Sequence, residues 1–302
     1  MIRHKIWFQR SKIPDAPCQA EARLPDGRML EFLGEYGVLI AALIGAGLLA
    51  GLMAGLFGIG GGAVIVPALI ILFETLDYGT SASHVAIGTS LATIILTSTR
   101  SVMAHHAKGA VDWDILRAWA PWIMFGAIIG QVLTGFLSAR ALKGFFGVMA
   151  FLLAAQLFFG RPGRQLGSAL PTGGLRAILA TLIGKLSALM GIGGGTFGVS
   201  LLIVYGHPIH RAVATAAGFG VAIGLPSALT AIFIGWGRTD LPPFSAGHVN
   251  LPAFVLISAL TVIMAPIGAR LAHILDAALL KKLFAVLLAL VACRMLISVI
   301  AG

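Results

Sequence analysis

The sequence predicts an all-α polytopic membrane protein: two tandem homologous repeats of about five apolar segments, each broken by a glycine-rich turn beside a short half-helix. Three observations carry this. Hydrophobic side chains make up 58% of the 302 residues and charged ones 11%, far from the roughly half-apolar, quarter-charged mixture of a soluble domain. Uncharged stretches of spanning length recur at 36–73, between the bounds Glu35 and Glu74, and at 118–139, 144–160, 212–237 and 251–269. Finally, Gly-Ile-Gly-Gly-Gly occurs twice, as Gly58-Ile59-Gly60-Gly61-Gly62 and as Gly191-Ile192-Gly193-Gly194-Gly195, 133 positions apart.

Taken in order, residues 1–36 read as a polar tail with six basic and five acidic side chains and prolines at 14, 17 and 25. Ile2, Ile6, Trp7 and Phe8 suit contact with a membrane surface, and nothing here has the short apolar region and small-residue cleavage site of a signal peptide. Apolar segments follow at about 37–57, 63–73, 83–103, 115–138 and 143–160, forming a first repeat over 37–160. Residues 161–174, with Arg161, Pro162, Gly163, Arg164 and Gly173-Gly174, link it to a second repeat over 175–302. Its segments lie at 175–190, 196–205, 211–236, 250–270 and 279–299.

The halves match beyond the glycines. Gly88-Thr89 aligns with Ala214-Thr215, Gly109-x-Val111 with Gly247-x-Val249, and Leu142-Lys143 with Leu280-Lys281, at offsets of 126, 138 and 138. Landmarks in a common order, with plausible loop changes between them, argue for duplication.

Segments 63–73 and 196–205 have about half the roughly 20 residues a helix needs to cross the hydrocarbon. Short, glycine-interrupted segments at matching places in two repeats point to a transporter binding site near the midplane. Non-helical backbone at that depth survives only when buried in protein or lining a cavity. Two topologies stay open. With the tail inside, four crossings per half and parallel repeats put Arg100, Lys108, Arg117, Arg161, Arg164 and Arg176 inside. Five crossings and inverted repeats put them outside.

Several function classes fit poorly. A Walker A loop needs Gly-Lys-Ser/Thr after its glycines, but Ala63-Val64-Ile65 and Thr196-Phe197-Gly198 follow here. A net charge of +10 fits basic loops and anionic lipid better than nucleic acid. Cys18 and Cys293 suggest neither a disulfide nor a thiolate metal site. His105-His106 with Asp112 and Asp114, and His207 and His210 with a distant His248, fall in expected loops and read as interface residues rather than metal ligands. A membrane hydrolase would need a nucleophile, a base and an orienting acid, and the apolar segments hold no Asp or Glu. No enzyme activity, cofactor or metal is expected.

The twin glycine motif, Ala86-Ile87-Gly88-Thr89-Ser90, Gly109-Ala110-Val111-Asp112-Trp113 and Arg211-Ala212-Val213-Ala214-Thr215 together resemble the TauE/SafE family, over about residues 37–300. The chain departs from it in its long polar tail and in Ala214-Thr215-Ala216, where a second Gly-Thr-Ser would stand. The resemblance implies a secondary transporter of sulfite, sulfoacetate or related organosulfonates in a bacterial inner membrane. Its partners would be a small anion, lipid and, as a homodimer, a second copy. The alternatives are a passive anion channel, or carriage of another small anion or a metal ion.

An anion in a low-dielectric setting needs donors and positive potential, and helix N-termini supply both. The expected substrate contacts are therefore the turns Gly58, Gly60, Gly61, Gly62 and Gly191, Gly193, Gly194, Gly195. Their glycines can instead serve close helix packing, as Gly47, Gly51 and Gly55 do at every fourth position. Thr89, Thr93 and Thr97 stack on one helix face beside Ser90, and Thr215 offers the equivalent hydroxyl from the second half. Thr89, Ser90 and Thr215 are the expected hydroxyl contacts, although intramembrane hydroxyls often bond their own helix. Lys185, alone in an apolar segment, either attracts the anion or extends to the interface. His84 is the expected carrier of a coupling proton.

Overall fold

The computed structural model describes residues 26–57, 60–159, 167, 169–271 and 277–301. Gly58 and residues 1–25 of the expected tail lie outside them. The chain divides into two compact units, 1–38 and 39–302. The second holds everything that follows.

Among the described residues ten helices run in order: α1 (Asp26–Phe57), α2 (Gly62–Thr75), α3 (Ala82–His106), α4 (Trp113–Thr134), α5 (Ala139–Phe159), α6 (Gly173–Met190), α7 (Gly195–Val204), α8 (Ile209–Ile234), α9 (Leu251–Leu271) and α10 (Ala277–Ala301). One two-stranded hairpin, β1 (Ser245–Ala246) and β2 (Val249–Asn250), precedes α9. The ten expected segments are all helical. Only α1 differs much from expectation, starting at Asp26 inside the expected tail. Glu31 and Glu35 are good helix formers and do not stop the run.

Six helices are long and apolar enough to cross a membrane: α3, α4, α5, α6, α8 and the part of α9 from Leu251 to Gly268. Large apolar side chains face outward along them, among them Phe125, Phe159, Phe233 and Ile263. A water-soluble chain does not leave so much apolar surface bare; here it meets lipid. The α3 span is the most enclosed, with 78% of its residues buried against 33% in α4, α5 and α9, so it is the pillar around which the rest is packed. Trp119, Phe146 and Phe219 are fully buried at its flanks and beyond.

Helix directions follow from the contacts. α1 runs parallel to α9, with Gly47 against Leu260 and Gly51 against Thr261 and Met264. α3 also runs parallel to α9, through Thr89 beside Asn250 and Thr97 beside Thr261. α2 lies antiparallel to α3, because Gly62 meets Ile94 while Val66 and Ile87 both meet Gly191. The chain therefore reverses direction between α1 and α2, which form a re-entrant hairpin. With 14 residues α2 spans about 21 Å, short of the roughly 30 Å hydrocarbon.

In the second half, α6 and α8 both run parallel to α4, with Gly126 against Thr181 and Gly130 against Lys185, and with Asp112 beside Thr215. α7 has 10 residues and runs back along α8, with Gly194 against Phe219 and Ile223 and Gly198 against Ala216. α3 and α8 are antiparallel, since Gly220 meets Ser98 while Gly88 meets Ala231. The two hairpins thus enter from opposite ends, and the two halves run in opposite senses. The first half thus pairs its reversed hairpin with α3, α4 and α5, and the second pairs its own with α8, α9 and α10.

One end of the bundle carries the starts of α3, α5 and α9 and is called here the histidine end, after His84 and His248. The other carries the starts of α4, α6 and α8 and is called the basic end.

Candidate functional site

The hairpin tips meet near the middle of α3. Gly60 packs against Ile94 and the Cα of Gly193, and Gly62 against the Gly191 carbonyl and Ile192. Gly60, Gly61 and Gly191 take φ of 76°, 77° and 66°, the left-handed region that glycine enters at no steric cost. A side chain at Gly62 would strike backbone. The first turns of α2 and α7 begin at these apposed tips and are largely buried, and their leading N–H groups have no acceptor within their own helix. Gly61 and Gly194 are the N-caps, and neither helix has a side-chain cap.

The turns also have packing roles. Gly61 lies on Ala50 of α1 and Gly194 on Phe219 of α8. Ser90 donates to the Gly191 carbonyl at 2.7 Å, so its proton fastens the second turn to α3. Thr93 and Thr97 donate to the carbonyls four residues back, at 2.9 and 3.0 Å, and Thr97 also meets the Thr261 hydroxyl at 2.9 Å. The face of hydroxyls is therefore turned largely onto its own helix. The Oγ1 of Thr89 accepts from the Asn250 amide at 2.9 Å and that of Thr215 from the Asp112 amide at 3.0 Å. Each keeps a proton to donate.

Two groups missed by sequence reasoning lie at the second turn. Ser187, fully buried in the last turn of α6, and Thr196, 7% exposed in the first turn of α7, have hydroxyls with no hydrogen-bond partner among the described residues. Such groups cost about 1–3 kcal/mol each when left unmet. Their serine and threonine identities looked unremarkable beside the glycines. Lys185, half-buried on α6, forms no ion pair among the described residues.

At the histidine end an open cavity of about 550 Å³ is lined by Arg140, Lys143, Arg238, His84, Ser138 and Thr80, among others. Lys143 is paired with Glu74 at 2.6 Å and Arg238 with Asp240 at 2.8 Å, while Arg140 donates to the Val299 carbonyl at 2.7 Å. The Arg238 hydrogen bond holds the Asp240 carboxyl below its usual range. His84 Nε2 donates to the carbonyls of Thr134 and Leu137 at 3.1 and 3.0 Å, and its ring lies 5.3 Å from that of His248. His248 is wholly buried, and neither ring nitrogen has a hydrogen-bond partner among the described residues. Burial, then the adjacent His84 and Arg238, lower its pKa to about 4. The hairpin carrying it wedges between α3 and α8, because Gly88 leaves room for the His248 carbonyl.

His106 accepts from the Trp113 indole at 3.2 Å. Among the described residues no group of three His, Cys, Asp or Glu is placed to hold a metal ion.

The family model described as Sulfite exporter TauE/SafE matches residues 43–295. A probable membrane transporter protein of Haemophilus influenzae is 36% identical over 262 residues, covering 86% of this chain and 98% of the relative. Probable membrane transporter proteins of Methanocaldococcus jannaschii and Bacillus subtilis are 28% and 26% identical over 240 and 229 residues, covering 78% and 69% of this chain and 85% and 79% of their own lengths. No solved structure matches.

Proposed function

Since the chain belongs to the TauE/SafE family and is a membrane transporter, we propose that it is a secondary carrier of small sulfur oxyanions, sulfite or an organosulfonate such as sulfoacetate. The anion is held between the half-helices α2 and α7. The observation that supports this reading is the apposition of two opposed re-entrant hairpins at Gly60 and Gly62 against Gly191, Ile192 and Gly193, with the buried hydroxyls of Ser187 and Thr196 on either side of the second turn. Each helix N-terminus favours an anion by up to about 2 kcal/mol when partly buried, without the desolvation cost of a bare cation.

Opposed hairpins also supply a mechanism. A site enclosed between two elements that enter from opposite ends opens to one side when one hairpin tilts and to the other when its counterpart does, as alternating access requires. Lys185, six residues before Gly191 on α6, adds positive potential in this reading.

Counterflow into proteoliposomes, comparing sulfite, sulfoacetate, sulfate and a nickel salt, tests the substrate class. Saturable exchange of the sulfur oxyanions is expected. Thr196→Val removes a hydroxyl at nearly constant size, and loss of a hydrogen bond to a charged ligand should raise half-saturation roughly tenfold or more. Ionic current without saturation or counterflow would instead make the protein a channel.

A further inference from the structure

The cavity at the histidine end stands apart from the midplane turns and is built for a different task. Its lining is cationic: Arg140 and Lys143 from α5 and Arg238 from the segment after α8. The acidic groups nearby, Glu74 and Asp240, are engaged by Lys143 and Arg238. That pairing leaves Arg140, held by a neutral carbonyl, as the uncompensated charge.

Beneath the cations lies a second and independent feature. His84 is 94% buried yet lines the cavity, and Nε2 is fixed as its donor because both of its partners are carbonyl oxygens. Its Nδ1 therefore carries a lone pair, and among the described residues no group meets it. The His248 ring beside it offers two more unmet nitrogens. Buried imidazoles without partners are expensive to keep, so an adjacent pair at a cavity floor calls for a use. Two imidazoliums this close repel, so the pair holds one proton at most.

We propose that this cavity is an entry station for the oxyanion, and that the His84–His248 pair beside it takes up one proton as the anion binds, so that entry of the anion is linked to protonation. The proposal rests on the carrier reading above and adds the pH dependence of its entry step. A proton from water at this end bonds to a lone pair of one imidazole as the sulfonate or sulfite enters, and it returns to water at the same end when the anion leaves the cavity. Arg238 opposes protonation of the His248 ring and Asp240 favours it. Arg140 and Lys143 face the same cavity from α5, Glu74 approaches from α2 through Lys143, and exposed Asp77 lies in the turn before α3. An anion among those cations screens them and raises the proton affinity of the pair. By reciprocity a proton on the pair raises affinity for the anion by the same factor.

The test uses the full-length protein. In weakly buffered detergent at pH 6.5, sulfoacetate binding is expected to take up about one proton per anion, read with a pH indicator. In proteoliposomes an inward acid gradient is expected to speed sulfoacetate uptake several-fold. His248→Leu and, separately, His84→Gln, which can still donate to the Thr134 and Leu137 carbonyls, should lose both responses, with gel filtration and melting reporting their folding. Parent protein that binds sulfoacetate with no proton uptake overturns the proposal. So does a folded His248→Leu variant with unchanged stoichiometry. Counterflow of the parent without a pH gradient tests the carrier reading alone, so the two failures are told apart.

Discussion

The backbone amide of Asn250 donates to Thr89 Oγ1 at 2.9 Å, across 161 residues of chain. Its counterpart is the Asp112 amide on Thr215 Oγ1 at 3.0 Å. Asn250 Oδ1 then accepts from Ala253 N–H and Asp112 Oδ1 from Ile115 N–H, each at 3.1 Å, so each threonine braces the residue capping a helix of the other half. Thr89 and Thr215, Asp112 and Asn250, and Ile115 and Ala253 are the pairs that duplication would make equivalent. Helix pairing repeats the pattern: α2 with α3 as α7 with α8, and α4 with α8 as α9 with α3.

Thr89→Val and Thr215→Val each remove the acceptor and strand a buried amide, at a cost of about 1–3 kcal/mol. Melting of the detergent-solubilised protein should fall for both variants, and by similar amounts if the two sites descend from one. A large loss at one site and none at the other would speak against equivalence.

All ten helical segments were legible, because each is an apolar run ended by glycine, proline or charge. The shortness of α2 and α7 was legible in the same way. Direction was not. Hydropathy records how long a segment is, while the reversal at Gly60 and Gly61 depends on φ, which composition does not report. Thr89 was noticed for its hydroxyl, but its partner Asn250 comes from the other half. His248 looked like a loop residue because it sits in a hairpin turn, and nothing local says that the hairpin is driven between α3 and α8. Gly51, which sequence spacing assigns to packing, does lie against Thr261 and Met264. Gly61 and Gly194 also pack against neighbouring helices, so substitution there confounds binding with assembly.

The basic end should face the cytoplasm. Lys108, Arg117, Arg176, Arg211 and Arg270 gather there against Asp112 and Asp114, a net excess of basic groups, whereas at the histidine end Arg140, Lys143 and Arg238 are offset by Glu74, Asp77 and Asp240. Retention of Lys and Arg inside then orients the bundle. Single cysteines at Lys108 and Ser138 in a background lacking Cys18 and Cys293 settle this: an impermeant maleimide added to whole cells should label the second and spare the first. The reverse pattern inverts the assignment.

Acid should destabilise the protein through His248. Its folded pKa of about 4 lies below the ordinary 6.5, so between these values the unfolded chain binds more protons and stability falls with pH. The loss begins near 6.5, is complete near 4 and is worth up to about 3 kcal/mol. His248→Leu should flatten that part of the melting profile. Sulfoacetate should protect the parent most at the acid side of the window, because the anion favours the protonated pair.

Lys185→Met keeps length and apolar packing while removing the charge. Affinity for sulfoacetate should fall severalfold at low ionic strength with melting little changed. Unaltered affinity would return Lys185 to an interfacial role, its stem lying along α6 and its ammonium in water.

The closest contact between the hairpins predicts a difference of sign within one of them. A methyl at Gly62 would run into the Gly191 carbonyl and the Ile192 Cα, and neither is a side chain that can swing aside. Gly62→Ala should therefore push the tips apart, lowering both melting temperature and sulfoacetate counterflow. Gly45 lies inside α1, on the same hairpin, with open space where a Cβ would go. Alanine there relieves glycine's entropic cost of roughly 0.5–1 kcal/mol in a helix interior, so Gly45→Ala should hold or raise melting temperature and leave counterflow at the parent level. Both variants replace the same atom count in the same element, so general sensitivity of the hairpin to mutation would move them together. Parent-like melting and transport in Gly62→Ala would mean that the tips do not meet, and the enclosed region between α2 and α7 would lose the apposition on which it depends.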